Sequence, residues 1–180
     1  MSCPPATSPY PLTRKSYVTL MKTISLTIAD LTPATGEKKF CNIIRSLDPF
    51  AMMYTDELNK ALNNQLKGPA IVVESYEARY DNNNSSNMIK DYDAAFIIVG
   101  KQLKNDNDQL LDLIDSLEII GETFLNKLFI EFQTRFDTNA SGVLRYQGCE
   151  SGIVGPIADN WWGQRFVFNF KMGANRKFNN

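Results

Sequence analysis

Histidine is absent from the 180 residues of this chain. That excludes Ser-His-Asp and Cys-His catalysis, His-ligated zinc or haem, and an imidazole pH switch. Cysteine is scarce. Cys3, Cys41 and Cys149 are odd in number, widely spaced and form no CxxC pair, so neither a disulfide framework nor a zinc site is expected. No apolar run approaches the roughly 18 residues of a membrane span. The opening MSCPPATSPYPLTRKS lacks the apolar centre of a secretory signal. The expectation is a product made in the cytoplasm, with no membrane partner. Net charge is only -1, which argues against a generally basic nucleic-acid surface. There is no GxxxxGK[ST], no GxGxxG after a strand, no GxSxG and no HExxH. No catalytic residue, metal or cofactor is expected.

What is present describes a folded domain with an arm. Hydrophobic residues make up 43% and charged residues 22%, enough apolar material for a core without staples. Pro4, Pro5, Pro9 and Pro11 make residues 1–15 an extended arm. Between Ser16 and Ala29 the pattern alternates. Val18, Leu20, Ile24, Leu26 and Ile28 share one side, broken only by Lys22, while Thr19, Thr23, Ser25 and Thr27 share the other. That period predicts a long strand. A turn at Thr32–Gly36 and a second strand over Lys38–Arg45 would complete an N-terminal hairpin extension, 16–47.

An α+β core is predicted over 48–172. Asp48-Pro49 opens a helix whose stripe is Phe50, Tyr54, Leu58, Ala61 and Leu62, and Gly68-Pro69 stops it. Ala70–Tyr80 and Tyr92–Leu103 read as strands joined by a long polar tip, Asp81–Asn87. Asn105 and Asp108 resemble a capping pair. The apolar stripe from Leu110 through Leu117, Phe124 and Leu128 to Phe132 then predicts a helix to about Arg135, ~45 Å long. Gly121 lies on that stripe, which implies close packing there. Gly142–Gly148 and Gln164–Met172 are the last strands, with Phe166, Phe168 and Phe170 facing one way. Residues 173–180 form a basic tail. The expected architecture is an antiparallel or mixed sheet with the two main helices packed on one face.

Three features bear on chemistry. Asp108, Asp112 and Asp115 share a side of the long helix, as do Asp115, Glu118 and Glu122. Such a set could hold a divalent cation, or could simply be a solvated helix surface. Asp91 and Asp93 alternate at a strand start but have no acid/base partner nearby. The stretch GIVGPIADNWWGQRFVFNF places Trp161 and Trp162 at a bend, pointing opposite ways. One joins the core; the other, beside Arg165, has the composition of an interface anchor or of a base-stacking platform. From Trp161 onward Arg165, Lys171, Arg176 and Lys177 stand with no acid. Complementary acidic and basic patches on different faces give a head-to-tail contact, which closes into a ring when the rotation allows.

Val154, Gly155, Pro156, Asp159, Asn160, Trp162, Gly163, Arg165, Phe166 and Phe168 form a run that resembles the C-terminal region of small structural proteins of tailed phages. The helix–hairpin–helix–hairpin order over 48–172 is similar to that of the tail terminator and head–tail joining families. The resemblance implies a virion protein of the neck that forms rings, hexameric or dodecameric, around a lumen through which DNA passes without specific binding. Its neighbours would be portal or connector and tail tube proteins. On this reading Trp161, Trp162, Arg165, Asp112, Asp115 and Glu122 are expected at the subunit interface, and Asn82, Asn83 and Asn84 at the loop that docks a partner. The alternatives are a tail tube-associated protein, a small metal-dependent enzyme using Asp108, Asp112 and Asp115, and a peptide- or nucleic-acid-binding module built on the two tryptophans.

Overall fold

Alternation of apolar side chains builds one apolar face of a sheet, and the unbroken apolar runs Ala70–Val73 and Ile97–Val99 make part of the other face apolar as well. The structure is a computed structural model and describes residues 13–43, 56, 58–60, 62, 66–81, 89–103, 106–135, 143–157 and 160–173. Among the described residues five strands run in the order β1-β2-β3-β5-β4: β1 (Phe40–Ile43), β2 (Ala70–Asp81), β3 (Ile89–Lys101), β4 (Val143–Val154) and β5 (Trp161–Gly173). β1 pairs with β2 in parallel, and every other pairing is antiparallel. The fold is α+β with a mixed sheet, as the sequence pattern leads one to expect.

On one face Ile71, Val73, Ala94, Phe96, Ile98, Phe166, Phe168 and Phe170 meet two helices, α1 (Arg14–Ser25) and α2 (Asn107–Arg135). α2 contributes Leu117, Phe124, Leu128 and Phe132, and α1 contributes Tyr17, Leu20, Met21 and Ile24. Phe96 stacks on Phe166 at 5.0 Å and Tyr92 on Phe170 at 4.5 Å, so the core face is an aromatic ladder across β3 and β5. At Gly121 α2 lies close against the sheet, for a Cβ there would collide with the edge of the Phe166 ring. The expectation of close packing at this glycine is met.

Ala70, Val72, Ile97, Val99 and Trp161 point to the other face, where they gather Ile43, Leu58, Leu62 and Leu66. The described residues of the 56–62 stretch are helical. The two main helices expected on one face therefore contact opposite ones. The reason is in the strands: Ala70–Val73 and Ile97–Val99 are apolar at every position, so both surfaces of the sheet need cover. Phe50, Tyr54 and Ala61, read as part of that helix's stripe, and its Asp48-Pro49 start lie outside the described residues.

The N-terminal strand is a helix instead. Tyr17, Leu20, Met21 and Ile24 fall at i, i+3, i+4 and i+7 and are buried, whereas Lys22, which broke the alternation, is exposed. Thr13 and Ser16 form a capping box: the Ser16 N–H donates to Thr13 Oγ1 at 3.1 Å and the Thr13 N–H to Ser16 Oγ at 2.9 Å. The threonines that favoured a strand are satisfied within the helix. Thr19 and Thr23 hydroxyls donate to the carbonyls of Lys15 and Thr19, each at 2.9 Å. No hairpin forms with β1, which runs parallel to β2 after the turn at Thr35-Gly36. Far from being an extension, α1 is part of the main core.

The remaining strands are longer than expected. β4 continues to Val154 through a register shift between Arg145 and Glu150, and β5 starts three residues before Gln164, at Trp161. At the start of α2 the Asp108 N–H donates to Asp106 Oδ1 at 3.1 Å, so Asp106 caps where Asn105 was expected; Asn105 lies outside the described residues. No helix among the described residues is long and apolar enough to cross a membrane.

Candidate functional site

The bend between β4 and β5 is held from three directions. Asn160 adopts φ 66°, and Gly155 adopts φ 150°, where a Cβ would lie 2.7 Å from the Trp162 ring. The position thus needs glycine on two counts, backbone and space. The Ile157 N–H donates to Trp161 O at 2.8 Å, and the Gln102 N–H donates to Asn160 O at 2.9 Å. Trp162 Nε1 donates to Gln102 Oε1 at 3.3 Å, while Gln102 Nε2 donates to Asp106 O at 3.0 Å. Buried Gln102 therefore ties the end of β3 to both the bend and the first turn of α2.

Strand alternation does split the two tryptophans. Trp161 is 4% exposed and packs in the second cluster, enclosed by its own chain. Trp162 is half-buried on the α2 side of the sheet and is the more accessible of the two. Beside Trp161 opens a cavity of about 640 Å³, lined by Leu62, Leu66, Leu113, Leu117, Gly68 and Gly100, with Lys67, Lys101 and Asp30 also on its wall.

Arg165 does not face solvent freely. Its Nε and Nη2 donate to Glu74 Oε1 and Oε2 at 2.7 and 2.9 Å, a bidentate pair crossing β3 on the face away from α2. The Glu74 side chain is 1% exposed and the Arg165 side chain 30%. Glu74 went unremarked in the sequence, although a carboxylate inside the apolar run AIVVESY is itself a sign of a buried partner. Further down the same face Lys171 meets Asp91 at 3.1 Å and Arg79 meets Asp93 at 3.4 Å. Asp91 and Asp93 are thus partners of cations across the strands rather than of each other.

Asp112, Asp115 and Glu122 stand exposed on α2. Glu122 also borders a hollow of about 380 Å³ shared with Leu125, Cys149, Glu150 and Phe166. No three Asp, Glu, Cys or His side chains among the described residues come together as a group that could hold a metal ion. Asp108, Asp112 and Asp115 stay separate along the helix surface. The structure therefore parts the residues assigned to one interface: Arg165 and Trp161 lie behind the sheet, and the carboxylates lie in front of it. Asn82, Asn83 and Asn84 lie outside the described residues, as do Arg176 and Lys177.

Burial also sets three ionisations. It pushes the Tyr17 hydroxyl far above the ordinary tyrosine range, with the charges of Glu74 and Tyr76 adding to the effect. Burial raises Tyr76 as well, against the opposing pull of Arg14, whose guanidinium carbon lies 5.6 Å from the Tyr76 ring centroid. Burial raises the Cys149 thiol, which makes it a poor nucleophile.

Compared with known proteins, the chain matches no family model and no curated sequence.

Proposed function

We propose that this chain is a structural virion protein of a tailed phage, a ring-forming tail terminator or neck connector that joins head to tail. The observation that carries the reading is the outer surface of α2. Ile119 and Leu111 are 64% and 60% exposed there, among Asp112, Asp115 and Glu122. A 29-residue helix spans ~43 Å at 1.5 Å per residue, so this is a long surface that leaves large apolar side chains in water. Self-association would bury them.

Two further points support it. The helical residues of 56–62, the β2–β3 hairpin, α2 and the β4–β5 hairpin follow one another in the order that prompted the resemblance. The glycines and aromatics of the bend act as scaffold, leaving the work of the protein to its surfaces. The function on this reading is geometric. Identical copies close around a hole, and carboxylates facing that hole would repel DNA phosphates and let the duplex slide.

Gold-labelled antibody against the protein, applied to purified phage particles, tests the assignment. Label at the neck is the expected result. Particles that lack the protein by mass spectrometry would remove the assignment.

A further inference from the structure

We infer that two copies of this chain join face to face, the outward stripe of α1 from each seated on the outward stripe of α2 from the other, since both helices lie on the same side of the sheet. The inference rests on the reading of the chain as a self-assembling virion protein, in which such pairs would be the units of a larger ring.

The two helices carry opposite charge. α1 holds Arg14, Lys15 and Lys22 and no acid. α2 holds Asp108, Asp112, Asp115, Glu118, Glu122 and Glu131 against Lys127 and Arg135. At about 100° per residue, Lys15, Thr19, Lys22 and Leu26 follow one line along α1, opposite the buried Tyr17–Ile24 side. Leu26 on that line is 49% exposed. On α2, Asp112, Asp115, Ile119 and Glu122 occupy the corresponding outward side. Each stripe thus carries an exposed aliphatic side chain beside charges, Leu26 at the C-cap end of the α1 line and Ile119 within the α2 line, the charges being of opposite sign on the two helices.

The spacing matches too. Lys15 and Lys22 are seven residues apart, as are Asp115 and Glu122, and seven residues span ~10.5 Å of helix. None of these four has an ion-pair partner among the described residues. By contrast, the cations first assigned to the contact are engaged at home: Arg165 by Glu74 and Lys171 by Asp91. Among the described residues α1 thus offers unpaired positive charge, and the occupant assigned to it is the carboxylate stripe of a second copy.

The test is a charge exchange, read by mass photometry and light scattering. One variant carries K15E and K22E, the other D115K and E122K. All four positions are exposed, and circular dichroism verifies that both variants fold. Each variant alone should associate at least ~100-fold more weakly than the parent chain, because like charges then oppose each other. An equimolar mixture should recover the parent's assembly, each contact then holding one copy of each variant. If the parent assembles and both variants assemble equally well, or if their mixture stays apart, this contact is wrong while the ring reading survives. If the parent chain never assembles, the ring reading itself fails.

Discussion

Replacing Arg165 by Met should destabilise the fold far more than replacing Glu74 by Gln. The asymmetry follows from burial. Glu74 is 1% exposed and Arg165 is 30% exposed. R165M removes both guanidinium donors, at 2.7 and 2.9 Å, and leaves a charged carboxylate inside the sheet face. Removing one partner of such a pair costs about 3–5 kcal/mol. E74Q leaves a neutral amide that still accepts from Arg165, whose head already reaches water, so the loss should be about 1–2 kcal/mol. For a chain of 180 residues each kcal/mol shifts Tm by ~2–4 °C, which places R165M roughly 6–20 °C below the parent. The double variant E74L/R165M replaces the pair with apolar groups and should return to within ~1 kcal/mol of the parent. Urea unfolding followed by circular dichroism measures all three. An R165M cost below ~1 kcal/mol, or a double variant no better than R165M, would refute the argument.

Further predictions concern the core and its surface. In G121A the new methyl meets Phe166, itself stacked on Phe96 at 5.0 Å, so overpacking of about 1–3 kcal/mol should exceed the ~1 kcal/mol gain in helix propensity; a stabilised G121A would show that α2 can lift away freely. Y17F should be neutral or stabilising by up to ~1–2 kcal/mol in thermal melts, because the Tyr17 hydroxyl is buried with no hydrogen-bond partner among the described residues. Its ionisation is displaced upward in the fold, so the stability tied to it is complete below about pH 10.0 and is lost as pH rises beyond that, at ~1.4 kcal/mol per pH unit. Y17F should flatten that alkaline slope, with Tyr76 retaining part of it; an unchanged slope counts against the assignment. K171A, which breaks a pair whose side chains are 40% and 33% exposed, should cost no more than ~1 kcal/mol in the same assay, and a cost near that of R165M would mean that exposure does not govern these pairs.

The sheet and the long helix are legible in the sequence because their patterns admit one period. Phe166, Phe168 and Phe170 alternate cleanly, and Leu117, Phe124, Leu128 and Phe132 fit only a helix. The segment from Ser16 to Ala29 satisfies two periods at once. Leu20, Ile24 and Ile28 recur every four residues, a spacing compatible with both a strand and a helix, and Tyr17 and Met21 decide for the helix. The capping box at Thr13 and Ser16 was the local signal that could have broken the tie. Which face each helix covers was not legible, since a strand apolar at every position, such as Ala70–Val73, tells only that both faces are dry. At the candidate site the split of Trp161 from Trp162 follows from alternation alone. The partner of Arg165 lies 91 residues away on another strand, and only the strand order brings Glu74 across β3 to meet it. Misreading α1 also hid its charge: a basic stripe exists only once the residues are wound on a helix.

The central claim is that this chain is a building block rather than a solitary domain, and native mass spectrometry of the purified protein across a concentration series tests it most directly. The account predicts one discrete multiple of the 20.4 kDa chain, dissociating as salt is raised. A single species of 20.4 kDa at every concentration and ionic strength would contradict it.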